Sequence, residues 1–122
     1  MKKLLTLLLA ATLLTGSLAA APADTAPKSV IHVVTVVWKD GTTPEQIQAA
    51  LDGVKALPAS FKGITRVWTR AIKVQGDKTH AIVMEFADEA ALKEYAGSAA
   101  QKEWYKVYQP IRKGSTTFDI TN

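Results

Sequence analysis

The sequence predicts an α+β domain with the element order strand, helix, strand, strand, helix, strand. Three observations lead to this prediction. A β-branched run at Val30–Trp38 is typical of a strand, a capped apolar stripe at Thr43–Leu57 is typical of a helix, and a turn at 75–78 separates two further strand-like segments. Right-handed crossovers between such elements produce the ferredoxin-like βαββαβ fold, a four-stranded antiparallel sheet with both helices on one face.

The first predicted strand, Val30–Trp38, is largely apolar on both of its faces. An antiparallel sheet with one wet face normally alternates polar and apolar residues, so this strand is expected to be covered on both sides. The helices cover one side, and the chain has no further element for the other. A second copy packed sheet to sheet would cover it. We therefore predict a homodimer formed through the open sheet face.

The first helix has a well-marked start. Thr43 is placed as the N-cap, Pro44 as the first helical residue, and Gln46 completes a capping box. Pro58 and Gly63 bracket the exit. Helical spacing predicts one buried stripe, formed by Ile47, Ala50, Leu51, Val54 and Leu57.

The remaining strands are predicted from β-branched and aromatic runs. They are Ile64–Val74, then Thr79–Phe86 after the turn at 75–78, and a closing strand at Thr116–Thr121. The larger inward residues of the sheet, among them Val34 and Phe86, suit the face that packs against the helices.

The second helical region lies between the last two strands. Asp88 is placed as a cap, and Gly97 interrupts the helix. Ser98 offers a second cap with Gln101, and the helix continues until Pro110 and Gly114 end it.

Residues 1–23 are predicted to be a signal peptide and its processing region. Lys2 and Lys3 precede an apolar run at Leu4–Leu14 that is too short to span a bilayer, and small residues follow. Cleavage is expected after Ala19, with Ala23 as an alternative. Residues 24–29 form a short linker, and the domain occupies residues 30–122.

The product is expected to be exported, periplasmic or secreted, without a stable membrane anchor after processing. Ser17 stands where the cysteine of a bacterial lipobox would be, so no thiol is present for acylation. A retained N-terminal anchor is the alternative. The chain contains no cysteine, which excludes thiol catalysis and thiolate metal sites.

The charge of the chain gives little support for a nucleic-acid or anionic-membrane partner. The formal net charge is +4, and two of those charges belong to the predicted leader. The remaining basic residues are scattered rather than clustered on one element.

The order of the motifs resembles the stress-responsive α/β-barrel domain (Dabb) family, which consists of dimeric ferredoxin-like proteins. The similarity covers nearly all of residues 30–120. It is carried by the segments Ile31-His32-Val33-Val34, Trp38-Lys39-Asp40-Gly41, Lys78 to Phe86, Asp88 to Tyr95, and Thr117-Phe118-Asp119-Ile120.

The resemblance implies a small pocket in which a strand histidine, a helix tyrosine and a second histidine act in cyclase-like members. His32 and Tyr95 match the first two positions, whereas Gln101 stands at the third. Glutamine cannot take up a proton near neutral pH, so the aldol-type mechanism of those members is not expected to carry over. His32, Tyr95 and Gln101 are the candidate catalytic residues, and the alternative is a structural His32 satisfied by Tyr95 or the backbone.

The predicted ligand-binding residues lie on the helix-packed side of the sheet and on the helices above it. His80 begins the third strand and is expected at the opposite end of the sheet from His32, about 16 Å away, so no shared metal site is predicted. The ligand-binding prediction comprises His32, Val34, Ile82, Met84, Tyr95, Gln101 and Trp104.

Three functions are consistent with these residues. The favoured one is an exported, non-catalytic dimer that binds a small apolar ligand or has a protective role, with no cofactor. The alternative is a cofactor-free cyclase, isomerase or oxygenase-like enzyme acting on a small apolar or polyketide-like substrate, in which His32 and Tyr95 react and Gln101 orients the substrate. The third is a structural module whose dimer interface is its function.

Overall fold

The computed structural model describes residues 28–122, so the predicted signal peptide and most of the predicted linker lie outside the described part of the chain. No helix within the described part is long and apolar enough to cross a membrane. The elements are β1 (Val30–Trp38), α1 (Pro44–Ser60), β2 (Ile64–Trp68), β3 (His80–Phe86), α2 (Glu89–Tyr95), α3 (Ala99–Tyr108) and β4 (Arg112–Ile120).

The four strands form one antiparallel sheet in the order β2-β3-β1-β4. β1 is a central strand that pairs along both edges, with Val34 opposite Ile82 of β3 and Thr117 of β4. Together with the helices on one sheet face, this order confirms the predicted ferredoxin-like fold.

The helix starts follow from local capping and are as predicted. The Thr43 hydroxyl accepts a hydrogen bond from the Gln46 amide, and the Gln46 side chain accepts one from the Thr43 amide. Pro44 occupies the start of α1, where a missing N–H costs nothing. α1 runs through Pro58 and ends at Ser60.

The second helical region is divided at Gly97, which adopts a left-handed φ of 77°. Asp88 caps α2 by accepting from the Ala91 amide, and Ser98 caps α3 by accepting from the Gln101 amide. The Gln101 side chain accepts from the Gly97 amide at 2.6 Å, so it holds the junction between α2 and α3.

The core lies between the helices and the inward face of the sheet. Within it, Trp104 connects α3 to α1. The indole N–H of Trp104 donates to the Ala50 carbonyl at 2.9 Å, and its ring stacks on Tyr108 at 4.5 Å. Gly53 permits this approach, because a Cβ there would lie 3.0 Å from the Trp104 ring. Burial of a tryptophan of this kind contributes about 3–5 kcal/mol relative to alanine.

β2 is shorter than predicted. It ends at Trp68 rather than Val74, because its pairing with β3 stops at the Trp68–Val83 pair, although β3 itself continues to His80. Residues 69–74 also gain little from burial, since Ile72 is 93% exposed.

β4 is longer than predicted and begins at Arg112 rather than Thr116. β1 extends to Trp38 and offers backbone partners that far, with a bulge between Val37 and Trp38. Gly114 therefore lies within the strand, opposite Val37, instead of ending the preceding helix.

The outward face of the sheet carries no helix. Trp68, Phe118 and Ile120 are 44%, 59% and 56% exposed on this face. Glu85 lies among these apolar residues and forms an ion pair with Arg66, whose hydrogen bond lowers the pKa of the Glu85 carboxyl. A single chain thus leaves one side of the sheet as open apolar surface.

Candidate functional site

A cavity of about 340 Å³ lies between the helix-facing side of β1 and β4 and the α2–α3 pair. A more open hollow of about 440 Å³ adjoins it and shares Leu92, Lys93 and Asp119 with it. The cavity is lined by His32, Val34, Leu92, Lys93, Tyr95, Ala96, Gln101, Trp104, Tyr105, Tyr108, Arg112, Ser115, Thr117 and Asp119.

A histidine–aspartate pair lies at one end of the cavity. The sheet register places His32 of β1 directly opposite Asp119 of β4, and the Nδ1 and Oδ1 atoms are 2.5 Å apart. The His32 side chain is 18% exposed and that of Asp119 is 47% exposed. Because an ionised carboxylate only accepts hydrogen bonds, Nδ1 is the donor in this pair, and Nε2 takes no part in it. The ring edge also contacts Phe86, which fixes its orientation.

Two tyrosine hydroxyls, those of Tyr95 and Tyr108, are buried beside the cavity. The Tyr95 hydroxyl has no hydrogen-bond partner among the described residues, whereas the Tyr108 hydroxyl lies beside Ser115 and Arg112. Burial raises the pKa of Tyr95 far above its usual value. Burial also raises the pKa of Tyr108, against the opposing effects of Ser115 and Arg112. Both hydroxyls therefore stay protonated at neutral pH and can donate as well as accept.

Gln101 is held in place by its neighbours. Its side-chain NH₂ donates to the Tyr105 hydroxyl at 3.1 Å, while its carbonyl accepts from the Gly97 amide. The side chain therefore orients Tyr105, whose hydroxyl hydrogen remains available for another acceptor. It does not take the acid–base role of a histidine.

A cationic group lies toward the other end of the cavity. The Arg112 guanidinium donates to the Ser115 hydroxyl at 2.8 Å and lies 5.8 Å from the centre of the Tyr108 ring. Ser115 pairs with Val36, four residues along the strand from the level of His32. The cavity therefore has a His–Asp end and an arginine end.

The structure brings most of the predicted site residues together. The cavity is lined by His32, Val34, Tyr95, Gln101 and Trp104, as predicted. Ile82 and Met84, also predicted to bind ligand, do not line it. They are 0% and 1% exposed on β3 and belong to the core. The prediction identified the correct sheet face but not the depth of each side chain beneath the helices.

The alternative of a structural His32 satisfied by Tyr95 or the backbone is wrong about the partner, because Asp119 supplies it. The sequence alone did not mark Asp119 as the partner of His32. Ser115, Thr117 and Asp119 recur at every second position of β4. This polar alternation on an inward strand face was the signal that could have revealed them. Tyr105 and Tyr108 lie close to Tyr95 and Trp104 in the sequence, which made an aromatic-lined pocket possible, and both line the cavity.

His80 lies outside this cavity. It pairs with Val36 near the opposite end of the sheet from His32, and its Nδ1 accepts from the Trp38 indole N–H at 2.8 Å. Burial lowers the pKa of His80, which favours the neutral ring that can accept this bond. Within residues 28–122 there is no group of three or more histidine, cysteine or acidic side chains that could hold a metal ion.

Comparison with known families decides the classification of the chain. The profile of the Stress responsive A/B Barrel Domain, Dabb, matches residues 30–122. The chain belongs to the Dabb family. The predicted resemblance is thereby confirmed. No match was found among curated protein sequences.

Solved structures share the Dabb fold at low sequence identity. Hydroxynitrile lyase from Passiflora edulis is 18% identical, with a TM-score of 0.71 over 79% of this chain and 94% of its own. A Dabb family protein from Mesorhizobium loti is 21% identical, with a TM-score of 0.65 over 78% and 97%. A dimeric ferredoxin-like protein of unknown function from Thermobifida fusca is 16% identical, with a TM-score of 0.68 over 80% and 93%.

The unpartnered hydroxyl of Tyr95 leads to a stability prediction. Tyr95→Phe is expected to leave the free energy of unfolding unchanged or to raise it by up to about 2 kcal/mol, because a buried hydroxyl without a partner carries a desolvation cost. Urea unfolding of the ligand-free protein measures this. As a control, Trp104→Phe should lower the free energy of unfolding, since it removes the indole hydrogen bond to the Ala50 carbonyl and part of a buried aromatic side chain. A loss of more than about 1 kcal/mol in Tyr95→Phe would contradict the assignment.

Proposed function

We propose that this Dabb protein is an exported homodimer that binds a small, largely apolar molecule in the cavity between sheet and helices. The observation that carries the proposal is the aromatic-lined cavity beside Tyr95, whose buried hydroxyl has no hydrogen-bond partner among the described residues. Buried polar groups in folded proteins are nearly always hydrogen-bonded, and leaving one unpaired costs about 1–3 kcal/mol. A ligand that bonds to the Tyr95 hydroxyl would account for its retention in the cavity wall.

The walls of the cavity support an apolar body for this ligand. Trp104 and Tyr108 stack at 4.5 Å, and Tyr105 packs beside both rings. Such aromatic walls with a few polar groups are typical of small-molecule sites. A volume of about 340 Å³ corresponds to about eleven water-sized volumes, which suits a ligand of about ten to twelve non-hydrogen atoms.

The proposal of export rests on the first residues of the chain. Lys2 and Lys3, the apolar run at Leu4–Leu14 and the small residues before Ala23 have the layout of a secretory leader. A cysteine-free domain held by core packing is compatible with an oxidising compartment such as the periplasm.

The proposal of a homodimer rests on the outward sheet face. Trp68, Phe118 and Ile120 leave apolar surface there, and Val33 and Val83 lie between them. The similar protein from Thermobifida fusca is described as dimeric. Two copies packed sheet to sheet would bury this surface, while the cavity would remain on the other face of each sheet.

A cofactor-free enzyme is the second candidate function, and the His32–Asp119 pair is the observation that favours it. A carboxylate on Nδ1 holds the ring so that Nε2 can remove a proton inside the cavity. The protonated Tyr95 hydroxyl could stabilise the enolate oxygen that forms. The similar Passiflora edulis protein is a hydroxynitrile lyase, so this fold can host catalysis.

Ligand binding is tested with small aromatic and aliphatic alcohols, ketones and acids of about ten to twelve non-hydrogen atoms. A compound at tenfold its Kd should stabilise the protein by about 1.4 kcal/mol, which is a rise in Tm of several degrees for a domain of this size. In His32→Ala the affinity should fall about threefold to tenfold, the value of one hydrogen bond. Thermal shift measures both.

The matched control for this experiment is His80→Ala, which removes the histidine outside the cavity and should leave ligand affinity unchanged. If no compound raises the Tm of either the wild type or His32→Ala, the binding function is contradicted.

The dimer is tested at Phe118. Phe118→Glu places a carboxylate in the proposed interface and should raise the dimer dissociation constant about a hundredfold or more, because a buried unpaired charge is costly. Sedimentation velocity at micromolar concentration should show a dimer for the mature wild type and a monomer for the variant. Val107→Glu, at a half-exposed position on α3, is the control and should remain dimeric. A monomeric wild type would rule out the dimer.

The enzymatic candidate is tested by deuterium exchange at the carbon next to the carbonyl of phenylacetone, followed by proton NMR in D₂O. If Nε2 of His32 acts as the base, the wild type should accelerate exchange, and Asp119→Asn should lower the rate about a hundredfold or more. Equal rates for wild type and His32→Ala would exclude this activity and leave the binding function standing.

A further inference from the structure

The two ends of the cavity differ in charge, and the arginine end is the one without an internal partner. The ion pairs among the described residues are His32–Asp119, Lys55–Asp52, Arg66–Glu85, Lys106–Glu103 and Lys113–Asp40. Arg112 is in none of them. Arg112 is a half-buried residue, and its guanidinium donates to the Ser115 hydroxyl and lies over the Tyr108 ring.

A guanidinium presents several N–H donors in a planar fork, and neutral hydroxyls compensate none of its charge. The planar fork matches a carboxylate, to which it can donate two hydrogen bonds. The Tyr108 ring lies beside the guanidinium and lines the same cavity, so it helps to hold the fork at the cavity wall. These groups together form an incomplete anion site within the cavity wall.

We propose, as an extension of the binding function above, that the ligand is an aromatic or aliphatic acid whose carboxylate is held by Arg112 with Ser115. Its apolar body lies against the Trp104 and Tyr108 rings. Its far end, when it carries a carbonyl or hydroxyl group, meets His32 and Tyr95.

The charge at the other end sets the direction of the ligand. Asp119 lies four residues along β4 from Ser115, about 13 Å away, and its carboxylate repels an anion from the His32 end. Lys93 is the other cation that lines the cavity, but it is exposed and shares the adjoining hollow with Asp119. Solvent screening weakens its attraction relative to that of Arg112.

The experiment compares 3-phenylpropanoate with 3-phenylpropanamide, two molecules of nearly equal shape that differ in charge. Each has about eleven non-hydrogen atoms, the size that the cavity suits. Isothermal titration calorimetry at pH 7.5 on the mature protein should show about tenfold to hundredfold tighter binding of the carboxylate, because charge-assisted bonds are the stronger class.

Variants of β4 assign the preference to Arg112. Arg112→Gln should bind the two compounds equally, with the affinity for the amide kept near that of the wild type. Arg112→Lys should restore part of the preference, since it keeps the charge without the fork. Lys113→Gln alters the adjacent, exposed cation and should behave as the wild type. Far-UV circular dichroism and Tm establish that each variant is folded.

Two results would overturn the inference while leaving the binding function intact. In one, the wild type binds the amide as tightly as the carboxylate. In the other, Arg112→Gln weakens both compounds equally, which would make Arg112 a packing residue. If neither compound binds, the inference is also overturned, and the thermal-shift screen above decides the binding function separately.

Discussion

Hydrogen bonding along both edges of β1 is the constraint on which the rest of the structure depends. The pairing sets His32 between Met84 of β3 and Asp119 of β4. Because side chains alternate across a strand, a slip of one residue would turn His32 to the open face and bring Val33 beneath the helices. The register that assembles the core is therefore also the register that assembles the His–Asp pair. The sheet register alone therefore positions the strand residues of the site.

Polar groups in the cavity wall lower the stability of the fold, because some of them lack partners. Tyr95 holds a buried hydroxyl without a partner among the described residues, and Arg112 is half-buried without a carboxylate. The two long helices are held together nearby, where the Trp104 indole of α3 donates to the Ala50 carbonyl of α1. Stable helix packing thus supports unsatisfied polar groups in the cavity wall.

Local features of this fold were predictable from sequence, and features set by long-range pairing were less so. The start of α1 depends on residues within one turn, so the Thr43–Gln46 capping box identified it directly. The end of β2 is the point where its pairing with β3 stops, and the start of β4 is the point where its pairing with β1 begins. No short sequence pattern encodes either point. The partner of His32 belongs to the same class, because Asp119 is 87 residues away and meets it only through the register. The alternation of residues along β3 likewise predicted that Met84 faces the helices, but it did not predict that Met84 is fully buried.

The alternation of side chains along β1 has a consequence for how such a protein can diverge. His32 faces the cavity and Val33 faces the open side of the sheet, and on β4 Asp119 and Phe118 are divided in the same way. Adjacent residues on these strands therefore affect different surfaces of the molecule. In the ligand-binding dimer proposed above, a substitution at one residue would change ligand preference and a substitution at its neighbour would change self-association, so each property could be altered without loss of the other.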